Sequence, residues 1–571
     1  MIKSHPVVRL LSIYWKSADK WRGAFLVAGI LGFGFSNTSL QVFYNGWYAD
    51  FFNALQQGNA PAFWAAIPML VLLLAAPMFS QVVQEYLDSW LQLRWRQRTT
   101  DHMIGRWLSR KAYYRIERDD VGDNPDQRIS EDVSTLIDLT MSLTLRFVLT
   151  MVSLASFGYL TWTKGGDLDT ELLGLSISIP GYMFWVAVAY SIFDTVITHL
   201  AGKSLLNLNV RREATEAELR YSLMQVREHS EQIAMYHGEA VERSRLVERF
   251  AAIWQVCKRQ FIVNAQVNFT SGLNGRLVSI LPLLLMAPNL FAGRIDLGNM
   301  MATNVAWIST SVGLSWFARN YTVIAQWRAA ALRLRSLDEA IDNEPVEGVR
   351  VVEYEGMQMR AEAVTLTLPN GDPLTDVGSF TIAPAHRLII SGRSGVGKST
   401  LLRTIAGLWP HGEGRILLPI NAKRLFLPQR SYIPAGSLKA ALCYPSPVET
   451  FNDEECRQAL EECRLPGLKA RLHESARWAN RLSVGEQQRL GFARALLQKP
   501  DLLFVDEATS ALDASTEKQL YAGLLRHLPE CTLVSVAHHS SLQTFHTHAL
   551  VLDGSDGASG KIMPLPVAAP V

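Results

Sequence analysis

A chain of 571 residues exceeds what one hydrophobic core usually supports, so at least two domains are expected. Charged residues make up 19% and hydrophobic ones 48%, with 15 Trp and a mean hydropathy of +0.08; this excludes a disordered chain and places part of the protein in lipid. Lys+Arg at 55 against Asp+Glu at 53 leaves a net charge of +2, so no nucleic-acid partner is expected.

The five cysteines, Cys257, Cys443, Cys456, Cys463 and Cys531, include no CxxC pair and no metal-ligand spacing, which argues against a disulfide framework or a zinc centre. The first 22 residues carry Lys3, Arg9, Lys16, Lys20 and Arg22 with only short apolar runs between them. No small-residue cleavage site follows, so no removable signal peptide is expected.

Six apolar stretches of bilayer-spanning length follow, at 23–44, 61–83, 139–163, 180–201, 265–293 and 299–321. The connections at 45–60, 164–179 and 294–298 hold no more than Lys164 and Arg294, whereas 84–138 and 202–260 are long and rich in Arg, including Arg94, Arg96, Arg98, Arg211 and Arg212. The positive-inside rule puts the basic segments, and with them both termini, in the cytoplasm. Their helical periodicity and length make them stalks that project past the headgroups. Within the first, Asn124-Pro125-Asp126-Gln127 reads as a capped helix start, which fits either a docking helix or a plain cap.

The fifth stretch and its approach carry Asn264, Asn268, Ser271, Gly275 and Ser279 at helical spacing, and the sixth adds Thr303, Asn304, Ser311 and Ser315. Such a stripe fits a wet cavity or tight packing through small residues. Arg146 and Asp194 fall at similar depth in the third and fourth stretches, so an intramembrane ion pair is expected between them. The domain assignment is a membrane domain over 1–335, a linker over 336–349, an α/β domain over 350–560 and a flexible tail over 561–571.

In the α/β part an apolar strand, 387–391, runs into Gly392-Arg393-Ser394-Gly395-Val396-Gly397-Lys398-Ser399-Thr400. This is G-x-x-x-x-G-K-[ST] in strand-to-helix context, a phosphate-binding loop. Its glycines free backbone N–H groups for phosphate, Lys398 reaches the β- and γ-phosphates, and Ser399 offers a hydroxyl to Mg²⁺. Further on, Leu502–Val505 leads into Asp506-Glu507, one carboxylate for the metal and one to polarise water. Between the two stands Leu482-Ser483-Val484-Gly485-Glu486-Gln487-Gln488-Arg489, which resembles the signature of ATP-binding cassette (ABC) proteins. Gln429, Ser510–Asp513 and His538 follow the order of that family.

The resemblance implies that two such domains pack head to tail, each ATP held by one phosphate loop and by Ser483, Gly485 and Glu486 of the other copy, so the working unit is a homodimer. It implies Glu507 as base, His538 on the γ-phosphate, Gln429 sensing metal and water, and Asp513 signalling across the interface. The family's adenine-stacking aromatic is missing: 355–379 holds no aromatic, and Leu368 takes the expected place. Val484 and Glu486 also depart from the commonest signature.

The segments 124–132 and 230–238 resemble cytoplasmic loops of ABC subfamily D, whose members include peroxisomal fatty-acyl half-transporters and bacterial relatives of the SbmA/BacA peptide uptake proteins. The expectation is therefore an exporter-like domain of six transmembrane helices joined to a P-loop ATPase domain, in a bacterial inner membrane. It implies uptake of peptides or other hydrophilic compounds; the alternatives are export of lipid-like or toxic compounds, and proton-driven transport with a regulatory ATPase.

Overall fold

The computed structural model describes residues 6–119, 124–172, 175–343, 348–537, 540–552 and 562–565, and the chain divides into two compact units, Met1–Asp342 and Asn343–Val571. The first unit is helical. It comprises α1 (Pro6–Trp15), α2 (Lys20–Gln56), α3 (Ala60–Leu108), α4 (Ala112–Arg118), α5 (Pro125–Gln127), α6 (Val133–Lys164), a hairpin of β1 (Leu168–Leu172) and β2 (Leu175–Ile179), α7 (Tyr182–Gly202), α8 (Leu205–Glu228), α9 (Ser230–Met235), α10 (Glu239–Phe291), α11 (Leu297–Leu314) and α12 (Trp316–Asp342).

Turn chemistry sets several boundaries. Asn59 ends the α2–α3 turn, and its side chain accepts from Ala62 N at 3.1 Å, a helix cap supported by Pro61 just inside. Asn124 does not act this way. The helix starts at Pro125 as expected, but Asn124 is left-handed (φ 46°), its side chain makes no capping bond, and the chain continues through one π-helical turn, Arg128–Asp132, directly into α6.

Among the described residues, Lys20–Gln56, Ala60–Arg118, Pro125–Lys164, Tyr182–Glu228 and Glu239–Phe291 are long and apolar enough to cross a membrane. The sixth expected stretch, 299–321, falls on α11 and the start of α12, is interrupted at Ser315, and is too polar to qualify. Its polarity is tolerated because α11 packs against α2, α6, α7 and α10 rather than facing lipid. Asn45 Nδ2 donates to Ala302 O (2.7 Å), the Thr161 and Thr310 hydroxyls meet at 3.1 Å, and Trp307 Nε1 donates to Met183 O (3.0 Å). At the start of α11 a Cβ on Gly298 would lie 2.0 Å from Ala49 O, so only glycine permits this approach to α2.

Ion pairs tie α12 to three other elements. Asp338, fully buried, accepts from Arg9 of α1 and Arg106 of α3, and both arginines also reach Asp342. Arg333 holds Asp132 through two bonds of 2.9 and 2.5 Å, and Arg128 adds a third at 3.0 Å.

The second unit contains β3 (Arg350–Tyr354), β4 (Met359–Thr367), β5 (Pro373–Ile382), β6 (Arg387–Gly392), α13 (Lys398–Ile405), β7 (Gly412–Pro419), β8 (Arg424–Leu427), β9 (Gly436–Ser437), α14 (Leu438–Cys443), α15 (Asp453–Glu462), β10 (Ser475–Ala476), α16 (Trp478–Arg481), α17 (Val484–Gln498), β11 (Leu502–Asp506), α18 (Ala514–His527), β12 (Thr532–Val536), β13 (His548–Leu552) and β14 (Ile562–Pro564). The main sheet runs β14-β13-β6-β12-β11-β8, parallel except for β14, and a second sheet runs β3-β7-β4-β5. β12 is buried at every residue and β11 up to Val505, the pattern of central parallel strands covered on both faces. The expected flexible tail is corrected in part: Ile562–Pro564 pairs antiparallel with β13, extending the sheet by backbone hydrogen bonds.

Candidate nucleotide site and membrane cavities

Parallel strands end at one edge, so β6 and β11, separated by β12, deliver the phosphate loop and the acidic pair to the same rim. The loop leaves β6 at Gly392 and enters α13 at Lys398. Arg393, Ser394 and Gly395 are exposed, Val396 and Thr400 half-buried. Gly397 has φ 102°, a conformation that L side chains avoid, and it turns the chain into the helix. Lys398, 5% exposed, donates to Gly392 O (2.8 Å) and Arg393 O (2.9 Å), drawing the loop around its ammonium.

Ser399 Oγ donates to Asp506 Oδ1 at 2.8 Å, which joins loop and acid. Burial raises the Asp506 carboxyl above its ordinary range, helped by the neighbouring Glu507 charge and opposed by Ser399, Arg403 and Lys398. Glu507 has a left-handed backbone (φ 49°), a strained conformation for a non-glycine residue, and its N–H donates to Val536 O at 3.1 Å. Gln429, just past β8, donates through Nε2 to Glu507 Oε2 at 3.3 Å. Sequence reasoning assigned no role to Gln488. It is 2% exposed and donates to Gln429 O (3.4 Å) and Ser510 Oγ (3.1 Å) while accepting from Ala511 N (3.0 Å). A polar residue on the buried face of α17 was the available signal.

Ser483, Gly485, Glu486 and Asp513 form a second group. Ser483 caps α17 and Glu486 closes the reciprocal box: Ser483 N and Oγ donate to its carboxylate at 2.9 and 2.8 Å. Those bonds hold the Glu486 carboxyl below the usual range. Gly485 lies against Leu512, and Asp513 caps α18 by accepting from Ser515 N and Thr516 N, which lowers its carboxyl to about 2. Among the described residues no hydrogen bond joins these four to the phosphate loop. His538 lies outside the described residues.

Leu368, 38% exposed, sits in the turn between β4 and β5. Trp409, outside the window in which an aromatic was sought, donates its indole N–H to Thr367 O at 3.1 Å and so stands beside that turn.

Two polar cavities flank α11. One, about 470 Å³, is lined by Gln81, Glu85, Asp88, Arg146, Ser153 and Ser309 among others. The other, about 390 Å³, is lined by Tyr190, Asp194, Asn274, Ser311, Ser315 and Arg319 among others. The expected Arg146–Asp194 pair does not form: the two residues line different cavities, and Asp194 accepts instead from Asn274 Nδ2 and Thr198 Oγ1. Similar depth fixed neither residue's direction around its helix. The polar stripe divides likewise, since Ser271, Gly275, Ser311 and Ser315 line a cavity whereas Thr303 is fully buried in packing.

The family described as "ABC transporter transmembrane region 2" matches residues 10–291, and "ABC transporter" matches residues 375–510. The chain is 30% identical over 532 residues to the inner membrane ABC transporter ATP-binding protein YddA of Escherichia coli, covering 93% of this chain and 94% of that protein. It is 29% identical to ABC transporter D family member 2, chloroplastic, of Arabidopsis thaliana, covering 97% and 86%. In fold it is similar to a bacterial Atm1-family ABC exporter with ATP bound, at a TM-score of 0.73, 20% identity and 94% coverage of each chain.

Proposed function

This chain belongs to the ABC transporter family, with relatives in subfamily D, and we propose that it works as a homodimer importing peptides or other hydrophilic compounds across a bacterial inner membrane. Its ATPase domain couples nucleotide hydrolysis to transport. Both termini and that domain face the cytoplasm in this reading, which the basic connections 84–138 and 202–260 support.

In the proposed cycle the loop from Gly392 to Thr400 wraps the phosphates, with Lys398 on the β- and γ-oxygens. Glu507 takes the proton of the attacking water and Gln429 orients its carboxylate. Ser399 and Asp506 offer a hydroxyl and a carboxylate 2.8 Å apart, and with Gln429 they supply the hard oxygen donors that suit Mg²⁺ alongside phosphates. When bound, that ion neutralises phosphate charge. Ser483, Gly485 and Glu486 of one copy cover the ATP of the other, Asp513 relays the contact, and His538 reaches the γ-phosphate. Because Ser483 Oγ donates to Glu486, it must exchange that carboxylate for phosphate when the two copies close.

The observation that carries the cargo reading is the lining of the 470 Å³ cavity, where Gln81 and Arg146 stand inside apolar spans and Glu85 and Asp88 follow at the cytoplasmic end of one. Such groups are costly in lipid and suit a wet path for polar cargo. The test uses purified protein in nanodiscs. With ATP and Mg²⁺, Glu507→Gln is expected to trap two nucleotides per two chains, and short hydrophilic peptides are expected to raise wild-type phosphate release. A nucleotide-loaded monomer, or stimulation by fatty-acyl compounds alone, contradicts the proposal.

A further inference from the structure

The smaller cavity, between α7, α10, α11 and α12, holds two opposite charges, Asp194 and Arg319, that form no ion pair among the described residues. Asp194 is positioned by α10: Asn274 Nδ2 donates to its carboxylate, Thr198 Oγ1 donates at 3.4 Å, and Tyr190 OH secures Asn274 through its backbone oxygen at 2.8 Å. Arg319 lines the same cavity from α12, and its guanidinium has no hydrogen-bond or ion-pair partner among the described residues.

A third group borders this space. Hydroxyls on α7 and α11 turn back to the carbonyl four residues earlier, as Ser191, Thr195 and Thr310 do. Ser311 does not. It is 4% exposed, borders the cavity, and its buried hydroxyl oxygen has no partner among the described residues. The helix is interrupted one turn on, at buried Ser315, which also lines the cavity, and irregular backbone at membrane depth is tolerated where it borders such a space.

We propose that this cavity is a binding subsite for a zwitterionic group, an ammonium received by Asp194 and an oxyanion received by Arg319. Its place in a transport cycle rests on the function proposed above; its ligand chemistry rests on the cavity alone. At about 390 Å³ it suits a compact polar ligand rather than a long acyl chain. An ammonium tethered to an oxyanion is found in the free ends of a short peptide and in the headgroup of phosphatidylethanolamine, and the experiment separates the two.

The full chain is placed in nanodiscs of phosphatidylglycerol, which has no zwitterionic headgroup, without nucleotide. Binding of radiolabelled trialanine is measured against N-acetyl-trialanine and trialanine amide, and against added phosphatidylethanolamine. Trialanine is expected to bind saturably, with each blocked analogue about tenfold weaker, as loss of one charge-assisted contact predicts. Asp194→Asn erases the penalty for N-acetylation alone, and Arg319→Gln erases the penalty for amidation alone. Asp194→Glu and Arg319→Lys keep both penalties, which separates charge recognition from misfolding. Phosphatidylethanolamine displacing trialanine from the wild type, with the blocked-end penalties unchanged, assigns the headgroup as a ligand; failure to displace assigns the peptide ends. The proposal is overturned if neither zwitterion binds, if blocked and free trialanine bind equally, or if the neutral variants keep both penalties. No ATP or translocation enters the measurement, so its failure leaves the proposed transport standing.

Discussion

Glu486 sets a negative charge at the N-terminal end of α17, where the proposed closure brings the partner's phosphate. Replacing it by Gln keeps the capping geometry and removes the charge. The helix-terminus effect of one charge then predicts a KM for ATP lower by about two- to fivefold, with kcat changed less, measured by steady-state phosphate release. An unchanged or raised KM would place Glu486 away from the phosphate. His546 gives a pH prediction. Buried against Tyr521, with Nδ1 donating to Leu542 O at 2.7 Å, it is lowered to about 4 from an ordinary 6.5, mainly by desolvation. The unfolded chain binds the proton more readily, so this contribution is complete above pH 6.5 and is lost as pH falls toward 4. The linkage amounts to about 2 kcal/mol by pH 5. His546→Phe should lower the acid sensitivity of thermal unfolding between pH 7.5 and 5, and equal losses in both proteins refute the assignment.

The residues of the phosphate loop were legible because they are contiguous, so spacing alone defines the loop. Gln488 was not, because its partners Gln429 and Ala511 meet it only when α17 packs beside β8 and the turn after β11. Arg146 and Asp194 failed for a related reason: depth along a helix can be counted in sequence, but direction around it depends on packing.

At the scale of elements, α11 and α12 connect the membrane unit. α11 is the most polar of the expected spans and is enclosed by four other helices, so its Asn, Ser and Thr side chains find protein partners or line cavities. Periodicity located this element but could not say which polar residues face which neighbour. α12 is secured by Asp338, whose charge is fully buried between Arg9 and Arg106. Removing Asp338 takes one acceptor from Arg9 and Arg106 while Asp342 still pairs with both, so Asp338→Ala is expected to destabilise the membrane unit by about 1–3 kcal/mol. Thermal unfolding of the purified protein reads this, and a loss below about 1 kcal/mol would mean that the arginines are satisfied by solvent.

At the scale of the whole molecule, the chain joins one helical membrane unit to one ATPase unit and contains one phosphate loop and one signature. That inventory, with the family resemblance, is the ground for the proposed homodimer. What sequence could not supply is the arrangement of charge inside the membrane unit, because cavity walls are assembled from α2, α3, α6 and α11 on one side and α7, α10, α11 and α12 on the other. The central claim is ATP-driven uptake of hydrophilic cargo. Its most direct test is transport in proteoliposomes whose ATPase domains face outward, preloaded with labelled hydrophilic peptide. ATP added outside is predicted to drive loss of peptide from the lumen with wild type and not with Glu507→Gln. ATP-driven accumulation into the lumen, or equal movement by the Glu507→Gln protein, would contradict it.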